Sequence, residues 1–237
     1  MTPGDYLGKE KDAFIHVVTT RRSYRGHYSP RMVKPQVVED CINMARWAPS
    51  AHNAQPWRFM TAMKHLDSHE GLRSILLDRM SEKYSIALEN DGKSKMDAIS
   101  VSKGKNQVFV QAPVLIIAFL DAGVLDSYPD AERQENEFLM GVQSVAAAIQ
   151  VLILTLHHHG LASCWYCAPL FCKEIVRRVL HLPDKWSPQA FITAGYPMND
   201  QKLHSRQEKQ ILTERRRRKN LDEICFPINQ FHEAGKS

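Results

Sequence analysis

Apolar residues recur at helical spacing over Asp12 to Arg22 and again over Pro35 to Trp47. The second stretch opens on a proline in its first turn, where a missing N–H removes no helical hydrogen bond. Trp57 to Met63 reads as a strand. Leu66 to Leu88 has a helical pattern, set apart from a second helix by a turn at Gly92 to Lys95, and Ala112 to Leu120 (APVLIIAFL) is a short branched apolar run, the mark of a buried strand. Phe138 to Leu156 holds 19 residues without a charge, about 28 Å as a helix and long enough to cross a bilayer. Gln143, Ser144, Gln150 and Thr155 within it, and the acidic run before it, point instead to the central helix of a soluble domain, buried in the core or against a second subunit. Gly160 caps its end. A strand near Ala162 to Trp165, a helix over Pro169 to Leu180, a strand over Ala190 to Ala194 and a weakly patterned tail complete the chain. With no repeat and no dividing linker, the pattern predicts one α+β domain with more helices than strands.

Composition changes this picture little. The 237 residues are 43% hydrophobic and 24% charged, which excludes a disordered chain or a disulfide scaffold. Charge is more informative because it is uneven. Of the net +5, residues 201–220 alone contribute eight Lys/Arg against two Glu, so the rest of the chain is close to neutral. Five scattered cysteines and a polar N-terminus predict a reducing cytoplasmic setting.

Two polar clusters could carry chemistry. Arg21-Arg22-Ser23-Tyr24-Arg25 follows a helix end and presents guanidinium forks of the kind that hold phosphate or a polarised carbonyl, although cations at a helix end also simply complement its dipole. Ala48-Pro49-Ser50-Ala51-His52-Asn53-Ala54-Gln55-Pro56-Trp57 is a turn dense in amide and hydroxyl groups.

Taken together, RRSxR and APSxxNxQPW resemble the nitroreductase family of flavin-dependent oxidoreductases. The turn Gly160 to Phe171 (GLASCWYCAPLF) is similar to that family's GLGSCW-type turn, and Phe191 to Pro197 (FITAGYP) to its final strand. The four motifs stand in the family's order from about residue 14 to about 225. The resemblance implies an α+β fold with a central, mostly antiparallel sheet flanked by helices and a long central helix at a dimer interface. It also implies a homodimer that binds FMN in sites shared between subunits. Carried over by position, Arg21, Arg22, Ser23 and Arg25 would contact the FMN phosphate and pyrimidine edge. Pro49, Ser50, Ala51 and Asn53 would approach from the other subunit, with Gln55 holding their loop. The backbone of Trp165, Tyr166, Cys167 and Ala168 would line the flavin face, the Cys167 N–H aimed at the hydride-accepting nitrogen. Arg216 and Arg218 best match a basic pair that closes over the phosphate. One domain is expected over 1–237, with extensions at 1–12 and 200–237, the latter embracing the partner.

The implied activity is hydride transfer from NADPH or NADH through FMN to a small electrophile such as a quinone or nitroaromatic. FMN-dependent reduction in deazaflavin coenzyme maturation, and flavin binding without nicotinamide turnover, are the alternatives. Chemistry on the flavin requires no catalytic side chain.

Other readings of the same residues are weaker. Cys164 and Cys167 form a CxxC, but zinc would need two more ligands, and His157 to His159 point about 100° apart along a helix. No metal is expected, and the histidines read as a solvated helix end whose charged form suits the dipole. Arg215 to Lys219 suggests nucleic acid, yet the near-neutral remainder offers no basic face, so neither nucleic acid nor membrane is an expected partner. In the family this chain resembles, an insertion over the exposed flavin face selects the substrate, and the polar, lysine-rich stretch 81–107 is the candidate for it, a solvated helix face being the ordinary reading of its lysines.

Overall fold

A computed structural model describes residues 3–25, 27–64, 76, 78, 112–198 and 218–226. The helix read over 66–88, apart from the helical Leu76 and Asp78, lies outside these residues, as do the 92–95 turn, the 81–107 stretch and Arg216. The chain forms two compact units, Met1–Met198 and Asn199–Ser237.

In the first unit, helix α1 (Pro3–Thr20) starts well ahead of the expected Asp12, and α2 (Pro35–Ala45) starts at the expected proline. Strand β1 (Trp57–Met63) coincides with its sequence pattern, and β2 (Val114–Asp121) pairs beside it. The long helix α3 (Ala131–His158) extends two turns N-terminal to the uncharged run, because Asp130 caps it by accepting the Arg133 N–H at 2.9 Å. Gly160, at φ 76°, turns the chain out of α3 in the left-handed region that favours glycine. Strand β3 (Ala162–Tyr166) and helix α4 (Lys173–Val179) follow. The single helix expected over 169–180 is divided, with a 3₁₀ turn at Ala168–Phe171 ending before Cys172. Strand β4 (Trp186–Gly195) begins earlier than its apolar core suggested.

The four strands form one antiparallel sheet in the order β1-β2-β4-β3. The pairing of β2 with β4 shifts between Ala118↔Ala190 and Phe119↔Pro188, so Gln189 is the extra residue of a bulge. That irregularity lets a central strand accommodate a proline, which cannot donate to the ladder.

Because β2 is covered on both faces, its sequence is a continuous apolar run rather than an alternation. Val114, Ile116, Ala118 and Leu120 pack with Val38, Cys41, Ile149, Leu152 and Leu156 of α2 and α3. Leu115, Ile117 and Phe119 pack on the opposite face with Phe191, Val176, Leu182 and Leu76. The helix that passes for a membrane span by length and composition is thus a core helix, with one face against the sheet and α2. Burial pushes the Cys41 thiol up to about 12, the nearby Asp40 adding to the effect, so Cys41 behaves as a small core hydrophobe.

Gly195 marks a close approach at the end of β4. A Cβ there would lie 2.8 Å from ring atoms of both Pro113 and Tyr28. Tyr28 cannot swing aside without breaking its 2.9 Å hydrogen bond to Thr193 Oγ1. Gly195→Ala is therefore expected to destabilise the fold by about 1–3 kcal/mol, read as a lower urea midpoint at unchanged slope. An unchanged midpoint would mean the rings yield freely.

In the second unit, Asn220 and Glu223 form a reciprocal capping box around the short turn Leu221–Glu223. Arg218 and Lys219 precede it and are exposed.

Candidate cofactor site

Helix α1 ends in a set of local bonds that turn the chain toward the sheet. Thr19 and Thr20 donate their hydroxyls back to carbonyls of the preceding turn, and Thr20 Oγ1 lies 2.9 Å from His157 Nε2 at the far end of α3. Arg22 folds back and donates to the carbonyls of Thr19 and Arg21, so it caps its own helix. Ser23 then forms a parallel bridge with Ser163, and the Tyr24 N–H donates to the Ser163 carbonyl at 2.8 Å. The segment thus adds to the open edge of β3.

This pairing sets Ser23 beside the start of β3 and brings Arg21 and Arg25 near the strand's side chains. Burial raises the Cys164 thiol, opposed by hydrogen bonds from Tyr166 and Ser23 and by the charges of Arg25 and Arg21. Burial likewise raises the Tyr166 phenol, and Arg25 again acts to lower it. Both guanidinium groups therefore stand close enough for their fields to reach the β3 side chains.

Beyond Tyr166 the chain turns outward. Cys167 is exposed, its carbonyl accepts the Leu170 N–H at 3.0 Å, and Ala168 opens the 3₁₀ turn. Among the described residues, the buried Trp165 Nε1 has no hydrogen-bond partner. The half-buried Arg21 and exposed Arg25, a hydroxyl and a surface turn with accessible backbone make a donor set that suits a flavin mononucleotide, whose phosphate is dianionic and whose ring gains negative charge on reduction.

The second cluster stands elsewhere. Ser50 is extended and its Oγ accepts the Gln55 N–H at 3.1 Å, while Gln55 Nε2 donates to Asn53 Oδ1 at 3.3 Å. The Ala51 N–H donates to Ser144 Oγ on α3 at 3.2 Å, and Ser144 donates in turn to the Met140 carbonyl at 2.7 Å. His52, Asn53 and Gln55 all have positive φ, near 50°. Holding three non-glycine residues in that region costs about 1–2 kcal/mol each, a concentration of strain at one loop. Pro49 to Gln55 thus docks at Ser144, whereas Arg21 to Arg25 docks near His157. Thirteen residues of helix separate those anchors, about 20 Å.

Of the three histidines at the end of α3, His158 and His159 are exposed, as a solvated helix end requires, and His157 is half-buried. Burial, then the charges of His16, Arg21 and Arg22, push His157 below the ordinary imidazole value, so its neutral form is favoured despite the helix dipole. Of the expected phosphate pair, Arg218 is exposed in the second unit.

Comparison with known proteins bears on the fold. The chain is 26% identical over 201 residues to an iodotyrosine deiodinase from Danio rerio, a match covering 84% of this chain and 65% of that protein's length. Among solved structures, a BluB-like flavoprotein from Clostridium difficile superposes with a TM-score of 0.67 at 24% identity, over 90% of this chain and 98% of the other. An iodotyrosine deiodinase bound to FMN and 3-iodo-L-tyrosine gives a TM-score of 0.60 at 20% identity, over 81% and 94% of the two chains. These likenesses concern the fold. The nitroreductase family model matches residues 18–196, which span the arginine cluster, the Pro49–Gln55 loop and the whole sheet, and the chain accordingly belongs to the nitroreductase family.

Proposed function

We propose that this protein is an FMN-dependent oxidoreductase that takes reducing equivalents from NADPH or NADH and passes them to a small electrophilic acceptor, working as a cytoplasmic homodimer. The observation that carries this reading is the pairing of Ser23 with Ser163 of β3, which brings the charges of Arg21 and Arg25 within reach of Cys164 and that of Arg25 within reach of Tyr166, next to the exposed Cys167. When bound, FMN would supply the ring that accepts and donates hydride. The protein's residues bind and orient: Arg21, Ser23 and Arg25 hold the anionic groups, and the backbone from Trp165 to Ala168 lines one face of the ring.

The roughly 20 Å between the two clusters along α3 supports a shared site. In one chain no small ring reaches both, but two α3 helices packed antiparallel about a two-fold axis bring the Ser144 end of one to the His157 end of the other. Exposed apolar side chains are available for this contact: Phe138 and Leu139 on α3, Met44 on α2 and Trp47 just after it, and Phe14, Ile15 and Val18 on α1. Pro49, Ser50, Ala51, Asn53 and Gln55 would then serve the partner's flavin.

The test is spectroscopic. The purified protein should be yellow, lose its absorbance anaerobically with NADPH or NADH, and regain it with a quinone or nitroaromatic. Colour that persists with both nicotinamides refutes the reductant. One finding favours a second reading, reductive dehalogenation of an aromatic halide: iodotyrosine deiodinases recur among the relatives, at 24–26% identity. Iodide release from iodotyrosine by the dithionite-reduced protein separates the two.

A further inference from the structure

Glu137 is the charged side chain that the described core contains, 1% exposed on α3. Its Oε1 accepts the Asp126 N–H at 3.3 Å, but its Oε2 has no hydrogen-bond partner among the described residues. His52 Nε2 lies 3.7 Å from that oxygen, and a carboxylate oxygen of Asp126 completes a group whose ligand atoms all lie within 4.8 Å of one another. A buried carboxylate oxygen without a donor is strongly unfavourable, and a second carboxylate beside it adds repulsion. Both are relieved by one positive ion.

The geometry points to a divalent transition-metal site formed by His52 Nε2, Glu137 Oε2 and an Asp126 carboxylate oxygen, with water in the remaining positions. Two carboxylates balance a charge of +2. The imidazole selects for zinc and its first-row neighbours over magnesium and calcium, which prefer all-oxygen shells. With metal–ligand bonds of about 2.1 Å, the 3.7 Å between the His52 and Glu137 atoms subtends about 120° at the ion. A pair 4.8 Å apart must close slightly, which the exposed Asp126 and His52 can do by rotation while the buried Glu137 stays fixed. Sequence spacing gives no hint of this site, because its ligands come from residues 52, 126 and 137.

The site is independent of any flavin, but it has a consequence for the loop. His52 adjoins Ala51, whose N–H already binds Ser144, and Glu137 lies two turns before Ser144 on the same helix. A bound ion clamps the strained Pro49–Gln55 loop to α3 at a second point.

The test is calorimetric titration of zinc chloride into the chelator-treated full chain. Wild type should bind one tight equivalent and melt at a higher temperature with zinc. His52→Ala, an exposed position where folding is not at risk, and the isosteric Glu137→Gln should weaken that equivalent by more than about a hundredfold, the upper end for loss of a mere supporting partner. His158→Ala and Cys225→Ser, exposed residues outside the group, should retain it. No saturable equivalent in wild type, or one that survives His52→Ala, overturns the site and leaves the 3.7 Å contact between His52 and Glu137 as the whole of the arrangement.

Discussion

Replacing Arg21 and Arg25 together by alanine is expected to weaken FMN binding by about 10²- to 10⁴-fold, because each hydrogen bond to a charged group contributes about 1.5–3 kcal/mol. The fold should survive, since Arg25 is exposed and Arg21 half-buried, and neither belongs to the core. Arg22→Ala is the internal comparison. Its guanidinium already bonds the carbonyls of Thr19 and Arg21, so its loss should affect the helix end more than the cofactor. The measurement is quenching of FMN fluorescence on titration into apoprotein. The double variant's deficit should shrink as salt is added, because charges exposed to water are screened over about 10 Å at 0.1 M. A double variant within threefold of wild type at low salt would remove these residues from the site.

The size of that effect could not be read from charge alone. In the sequence, Arg21 to Arg25 and Cys164 to Ala168 are distant, and each has an adequate ordinary explanation. Only the resemblance to a family joined them, and only the bridge between Ser23 and Ser163 shows the physical means. By contrast, the strands were legible because burial on both faces of β2 leaves an unbroken apolar run, and β1, at the sheet edge, has clear ends at Pro56 and Lys64.

Where the reading fell short, the cause is local. The first two turns of α3 are mostly exposed and charged, with Glu132, Arg133 and Glu135, and so carry no hydrophobic signal although Asp130 caps them well. Pro188 hid the start of β4, which the Gln189 bulge accommodates. The Cys172 backbone, at φ −144°, breaks the expected helix after the CxxC turn. Least legible was the environment of His157: a histidine at a helix end suggests a stabilised cation, but burial, and then the charges of His16, Arg21 and Arg22 at the end of α1, act against it.

Phe191→Ala tests how the sheet supports the turn that follows β3. Phe191 is fully buried between β2 and β3, paired with Ile117 on one side and Tyr166 on the other, and it packs in the core cluster that Tyr166 and Ala168 cover. Truncation should destabilise the fold by about 3–5 kcal/mol, a large part of the roughly 5–15 kcal/mol that holds a domain together. Phe119→Ala should cost about as much for the same reason. Phe119 is equally buried on the same face, but its ring lies against Trp186, 5.7 Å between centroids, at the other end of β4. Measured well below both melting temperatures, the two variants should therefore separate: Phe191→Ala loses FMN affinity as well as stability, whereas Phe119→Ala loses stability alone. Equal FMN affinities would mean that the turn from Trp165 to Ala168 is held by its own backbone bonds and Pro169, independently of the aromatic ring beneath it.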